Sequence, residues 1–289
     1  MKERLRRSAL YVPGDSERML RRSAMTAADM LILNLEDGVA LSAKASARDN
    51  VARALKELDF GGREVVARVN SPDTEIGLQD LAAVVPLRPD GICLPKIERA
   101  AEIEAADRAV RDMEIAHGLP EGCVGLHAMI ESAAGVLRAG EIAAASPRMR
   151  SLIFGSADYA ADVRCRTGED RSELLFALQM IVTSARSAGI DAIDAPCFDV
   201  RNEALLRSEA SQARRLGYDG KSAVHPDQCT IINLEFGVTE EEIAWAEKTL
   251  ARLEAAEREG RALTTLDGKL IEPPHRAAAE RILRRRRLY

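Results

Sequence analysis

Apolar segments far apart in this chain end in residues that could do chemistry. "MLILNLED" ends in Glu36 and Asp37, "EVVARVN" in Arg68 and Asn70, and "GICLPK" in Lys96. "VGLHAMIES" carries Glu131 and "SLIFGSAD" ends in Asp158, while "IDAIDAP" offers Asp194 and "GKSAVHP" offers His225. Glu131 and Asp158 stand out because they close consecutive segments with no His or Cys beside them. Two such carboxylates make a hard oxygen site of the kind that suits Mg²⁺, which typically takes one or two protein carboxylates and keeps water or substrate oxygens. Arg68 adds a rigid fork for a carboxylate or a developing enolate. A divalent cation beside an arginine points to chemistry on an α-keto or α-hydroxy acid, in which the metal chelates the carboxylate and adjacent oxygen as a C–C bond breaks. Plainer roles stay open. Asp158 could cap a helix starting near Tyr159. Glu131 could be solvated, Glu36 and Asp37 could form a turn, and His225 could be structural. Arg68 could be a structural ion pair with Glu36 or Glu131, since a buried Arg needs a partner.

The elements that would hold these residues follow from the pattern of apolar runs. Strand-length runs lie at 8–14, 30–37, 64–70, 91–96, 124–132, 151–158, 190–196 and 220–226. Their spacing of about 30 residues is that of one βα unit. They are apolar without strict alternation, as parallel strands covered on both faces should be. The gaps hold amphipathic helices, among them 42–58 and 98–118, the latter ending in a Gly suited to a C-cap. Eight βα units close a barrel. An open doubly wound sheet is the alternative, but the turn after the first run, "PGDSER", has a single Gly rather than a glycine-rich phosphate loop. The reading is therefore a (β/α)₈ barrel over residues 1–237, with the charged residues gathered at the C-terminal ends of its strands. Residues 238–289 form an extension. It has a long helix opened by a Thr239/Glu242 capping box, a turn at "DG", a Pro-Pro break and a last helix. It is too small to bury a core alone and should pack on the barrel or on a neighbouring subunit.

Composition narrows the setting. The 289 residues are 46% hydrophobic and 30% charged with a net charge of −5, which gives no reason to expect a nucleic-acid partner. The basic tail "RILRRRRLY" reads as the cation-rich last turn of a helix. No stretch reaches the roughly 20 apolar residues of a membrane span, and the basic N-terminus is too short in its apolar part for a secretory signal. Five cysteines without a CxxC pair read as reduced thiols in a cytoplasm, and no ligand-spaced Cys or His pair suggests zinc.

"SALYVPGDSERM", "LILNLEDGVALSAKASAR", "VVARVN", "GICLPKIE", "MIES", "FGSADYAAD", "GKSAVHPDQ" and "LDGKLIEPPH" occur in that order. Together they resemble the citrate lyase beta-subunit-like family of the HpcH/HpaI aldolase superfamily, which includes malyl-CoA and citramalyl-CoA lyases. The resemblance runs roughly from residue 7 to 283. It implies a barrel assembled as a trimer or a dimer of trimers, and a Mg²⁺-dependent lyase acting on a β-hydroxyacyl thioester. By that resemblance Glu131 and Asp158 hold the metal, and Arg68 binds the oxoacid and the enolate. Glu36 and Asp37 lie beside the metal through ordered waters. Lys96 and Gly155 are further substrate-contact expectations, and Lys221 and the Pro13-Gly14 turn are guesses for contacts to coenzyme A.

The family's C-terminal "DGxxID" segment acts as a lid, often over a neighbouring subunit's site, and its acid assists proton transfer. Here Glu272 stands where Asp is usual, and one extra methylene moves the carboxylate by about 1.5 Å. A misplacement of that order can cost about 100-fold in rate, so the substrate differs, the lid sits differently, or another acid such as Asp267 serves. The expected reaction releases acetyl-CoA and an α-keto acid. The carrier is coenzyme A or an acyl-carrier protein, and the absence of a notably basic surface argues against a dedicated acidic carrier protein. Rival readings are a citrate lyase beta subunit with partner subunits, a malyl-CoA thioesterase, a non-catalytic acyl-CoA-binding barrel and, fitting the motifs less well, a class II aldolase.

Overall fold

The computed structural model describes residues 4–288, which divide into two compact units, residues 6–236 and residues 4–5 with 237–288. The first unit alternates strands and helices. In order these are β1 (Ser8–Pro13), α1 (Glu17–Ser23), β2 (Met30–Asn34), α2 (Lys44–Glu57), β3 (Glu64–Arg68), α3 (Glu75–Val84), β4 (Gly91–Leu94) and α4 (Ala100–Ala116). They continue with β5 (Gly125–Ile130), α5 (Ala133–Leu137), α6 (Ala139–Ala144), β6 (Met149–Phe154), α7 (Ser156–Asp162), α8 (Leu175–Ser187), β7 (Asp191–Asp194), α9 (Glu203–Leu216), β8 (Gly220–Ala223) and α10 (Pro226–Glu235). β1 to β8 form a closed parallel barrel in sequence order, sealed where Ser8 of β1 pairs with Lys221 of β8. Every apolar run expected to be a strand is one.

Strand parity sorts the side chains. Ala9, Met30, Ile32, Val66, Cys93, Met129, Ile153 and Ile193 point inward and pack with Tyr11 along the barrel axis. The alternate residues, among them Leu10, Leu31, Leu33, Ala67 and Leu152, pack outward against the helices. Both sets are buried, which is why the runs show no polar alternation. The N-terminal end of the barrel is closed by charge: Arg6 bridges Glu64 of β3 and Asp191 of β7, each at 2.5 Å. Among the described residues no helix is long and apolar enough to cross a membrane.

The second unit contains α11 (Glu240–Arg258), a hairpin of β9 (Thr264–Leu266) and β10 (Lys269–Ile271), and α12 (Pro273–Arg286). The expected capping box is present: Thr239 Oγ1 accepts from Glu242 N at 3.1 Å, and Glu242 Oε2 from Thr239 N at 2.9 Å. Leu253, Leu266 and Ile271 form a small core with Trp245. Asp267 and Gly268 turn the hairpin with φ of 50° and 75°, the left-handed pair that a two-residue hairpin turn requires. Glu272 occupies the N-cap of α12, ahead of Pro273 and Pro274, and its backbone N–H donates to His275 Nδ1 at 3.3 Å.

Candidate functional site

The inward parity of each strand continues into the loop that follows it, and this carries Asn34 at the end of β2, Glu36 after it, Arg68 on β3, Glu131 after β5 and Gly155 after β6 to one end of the barrel axis. Arg68 Nη2 lies 2.6 Å from Glu36 Oε2, with both side chains buried. Its guanidinium carbon stands 5.8 Å from the centre of the Tyr11 ring. Burial opposes the charge on Arg68, but Tyr11, Glu36, Cys93 and Glu131 around it outweigh that and raise its pKa. Glu36 is locked in turn. Its N–H donates to Asn34 Oδ1 at 3.1 Å, and the Asp37 N–H donates to the Glu36 carboxylate. Asn34 Nδ2 donates to the Asp37 carbonyl, and Lys44 Nζ reaches the carbonyls of Leu35 and Glu36 at 2.7 and 2.8 Å.

Lys96 plays two parts. It adopts φ of 53°, uncommon for a residue with a side chain. In that conformation its backbone N–H donates to Glu131 Oε1 at 2.7 Å. Its ammonium lies 3.0 Å from Asp37 and 3.6 Å from Glu36. The bond to Asp37 raises the Lys96 pKa, and it overcomes partial burial to lower that of Asp37.

Glu131 is the most perturbed acid of the group. Burial pushes its carboxyl up to about 7, against the pull of Arg68 and the Lys96 N–H, and Asp158 and Glu36 push the same way. Its Oε2 is buried and has no hydrogen-bond partner among the described residues, and the same holds for Arg68 Nε. Gly155 is there for space: a Cβ at that position would lie 2.4 Å from Glu131 Oε2. Asp158 is the third residue of α7, where the helix dipole favours a negative charge. It is near enough to act on both Glu131 and Lys96. Among the described residues no three His, Cys, Asp or Glu side chains converge as a complete metal cage. A buried carboxylate oxygen without a protein hydrogen-bond partner, acted on by a second carboxylate, fits a Mg²⁺ ion that keeps water or substrate oxygens. Such an ion would satisfy Oε2 and draw Glu131 into its ionised form.

A family profile for HpcH/HpaI aldolase/citrate lyase matches residues 7–226, which include all eight barrel strands. The chain belongs to the HpcH/HpaI aldolase/citrate lyase family. A second profile, for a C–C bond lyase of the TIM-barrel fold, matches residues 173–289. The citrate lyase subunit beta of Escherichia coli K12 is 39% identical over 287 residues, covering 99% of this chain and 95% of the relative. A (3S)-malyl-CoA thioesterase of Cereibacter sphaeroides is 38% identical over 277 residues, covering 96% and 93%. Among solved structures, the CitE protein of Mycobacterium tuberculosis in complex with magnesium, acetoacetate and coenzyme A superposes with a TM-score of 0.77 at 28% identity, covering 97% of this chain and 98% of that one.

Within this HpcH/HpaI barrel, Glu36, Asp37, Arg68, Lys96, Glu131 and Gly155 lie on the loops and strand ends of one face, with Asp158 in the first turn of α7. Other sequence expectations need correction. Asp158 does not cap a helix near Tyr159: α7 starts at Ser156 with Gly155 as its N-cap. Asp194 has outward parity, opposite to Ile193, and is buried in ion pairs with Arg171 and Lys221 at 2.5 and 2.8 Å. Lys221 is likewise outward and fully buried, bonded to Asp194, Glu209 and the Ala195 carbonyl, so its ammonium cannot meet coenzyme A. His225 is structural, as expected: it caps α10, its Nδ1 accepting from Asp227 N at 3.3 Å. Asn70 is scaffolding, donating to the Leu35 carbonyl and to Asp80. Gly14 packs against β2, where a Cβ would meet the Asn34 carbonyl at 2.7 Å. Sequence reasoning missed Tyr11 and Asn34. Each lies two residues from an inward-facing neighbour, Ala9 and Ile32 respectively, so parity counted along the runs would have found both.

Proposed function

We infer that this protein is a Mg²⁺-dependent carbon–carbon lyase that cleaves a β-hydroxyacyl-CoA of the citramalyl-CoA or malyl-CoA type to acetyl-CoA and an α-keto acid, or runs the reverse condensation. The observation that carries this reading is the buried, unpartnered Glu131 Oε2 beside Asp158, with the Arg68 fork on the same face. Mg²⁺ held by Glu131 and Asp158 would supply positive charge to the hydroxyl and carboxylate oxygens of the acid end. Arg68 binds the oxoacid and stabilises the enolate oxygen that forms when the C–C bond breaks. Glu36 keeps that guanidinium in place, and Asp37 with Lys96 completes the charged rim. The Lys96 N–H fixes the direction of Glu131, and Gly155 leaves room for its carboxylate. Glu272 takes the hydroxyl proton as the bond electrons pass to the thioester carbonyl, and protonation of the enolate carbon then gives acetyl-CoA. The magnesium, acetoacetate and coenzyme A bound by the Mycobacterium tuberculosis relative support this substrate class. The assembly is a homotrimer or hexamer in the cytoplasm, with the C-terminal unit packing on a neighbouring subunit.

The second reading, hydrolysis of malyl-CoA, is favoured by the 38% identity to a (3S)-malyl-CoA thioesterase. One assay separates the two. Malyl-CoA and citramalyl-CoA are incubated with Mg²⁺ or with EDTA, keto acid is trapped with phenylhydrazine, and free thiol is measured in parallel. Lysis gives Mg²⁺-dependent keto acid without free thiol, and thiol without keto acid makes the protein a thioesterase. If neither product forms from either thioester, the lyase reading is wrong.

A further inference from the structure

Glu131 and Asp158 come from different βα units, and something must hold α7 at a fixed distance from the end of β5. One tie lies before both residues: Gly155 N donates to the Ile130 carbonyl at 3.0 Å. The other lies after both. Asp162 Oδ2 accepts from the Ala133 N–H at 2.7 Å. Ala133 is the first residue of α5, two positions beyond Glu131, and its N–H belongs to the set that a helix cannot satisfy internally. The Ser132 hydroxyl does not serve it, because that oxygen takes the Gly135 N–H at 3.1 Å. Asp162 stands at i+4 from Asp158, so the two carboxylates share one face of α7. The pair Glu131 and Asp158 is thus enclosed in a ring of backbone closed by two hydrogen bonds, and only the second is made by a side chain.

We propose that Asp162 is a positioning residue for the metal site: by clamping the last turn of α7 to the start of α5, it sets Asp158 against Glu131. This rests on the Mg²⁺ reading given above. Without the clamp, Gly155 is the remaining hydrogen-bonded tie between these two segments among the described residues, and the buried Tyr159 holds only the middle of α7 against the core. At 1.5 Å rise per residue, a tilt about Gly155 that moves the Asp162 end by about 2 Å moves Asp158 by about 1 Å. Partners outside the ligand set that orient the ligands are worth about 10- to 100-fold in metal affinity.

The test is calorimetric titration of Mg²⁺ alone into the full chain, for the wild type, Asp158→Ala, Asp162→Ala and Asp162→Asn. The expected order is tight binding by the wild type, none by Asp158→Ala, and about tenfold weaker binding by Asp162→Ala. Asp162→Asn, whose amide oxygen can accept the same N–H, should stay close to the wild-type value. Wild-type affinity in Asp162→Ala overturns the proposal. So does an Asp162→Asn as weak as the alanine variant, which would make the charge and not the hydrogen bond the cause. If Asp158→Ala and the wild type bind Mg²⁺ alike, the metal assignment itself fails, a result distinct from either. Should Asp162→Ala not fold, amide exchange at Ala133 decides: protection in the wild type and in Asp162→Asn supports the clamp, and fast exchange in the wild type refutes it.

Discussion

Replacing Gly155 by alanine tests the site through size alone. The backbone at Gly155 has φ of −104°, on the side that residues with side chains adopt, so the substitution needs no left-handed conformation. The obstacle is Glu131. An added Cβ would lie 2.4 Å from Glu131 Oε2 and 2.5 Å from Glu131 Cβ. The oxygen ends a flexible chain and can swing aside. The Cβ is fixed by the backbone leaving β5 and cannot. Carbon atoms in contact sit about 3.5–4.0 Å apart, so the shortfall is about 1 Å and α7 must move away from β5 by that distance. Overpacking of this kind costs about 1–3 kcal/mol, which a thermal melt will register. A 1 Å displacement of a positioned group costs about 100-fold in rate. The expected variant is folded by circular dichroism, melts a few degrees lower, binds Mg²⁺ at least about tenfold more weakly and turns over about 100-fold more slowly. If Gly155→Ala binds Mg²⁺ and turns over like the wild type, the close approach of Gly155 to Glu131 has no role in the site and the reasoning is refuted.

Asp158→Ala should keep the fold, since its side chain caps nothing, and lose metal-dependent turnover; unchanged activity in a coupled keto-acid assay would remove Asp158 from the site. Arg68→Lys keeps the charge but loses the planar fork, so kcat/KM should fall about 100-fold while Mg²⁺ affinity measured by titration changes little. Asp194→Asn tests the buried ion pairs behind the barrel. Burial works to raise the Asp194 pKa, but Lys221 and Arg171 overcome it and lower it. A carboxylate whose pKa is lower folded than unfolded stabilises above its unfolded value of about 3.9 and loses that stabilisation as pH falls below it. The variant should therefore be about 3–5 kcal/mol less stable than the wild type in urea at pH 7, with the gap narrowing below about pH 4; a gap that does not narrow with acid would rule out the ion pairs as its source.

Much of the candidate site was legible before the fold was known, and the reason is local. An apolar run that is buried on both faces carries little charge, so charge accumulates where the run stops, and Glu36, Lys96, Glu131 and Asp158 all follow that rule. The failures have two causes, strand parity and the placing of a helix start. Asp194 ends its run just as Glu131 ends its own, yet it sits on the opposite parity and faces the helices, where Lys221 waits from the next strand. Asp158 could be read as the cap of a helix starting near Tyr159, whereas the helix begins at Ser156 and Asp158 is already inside its first turn.

The order of elements, the closure of the barrel and the short menu of charged strand ends were therefore written in the amino-acid sequence, because periodicity, chain length and turn chemistry are local properties. Tertiary structure alone decided which of those charges meet. Tyr11 lies under Arg68 only because β1 and β3 flank β2 in a closed sheet. Glu131 Oε2 is buried without a partner at a place where the chain entering α7 comes so close that a Cβ at position 155 would clash with it. Such proximities depend on how strands wrap around an axis, and no window of sequence contains that information.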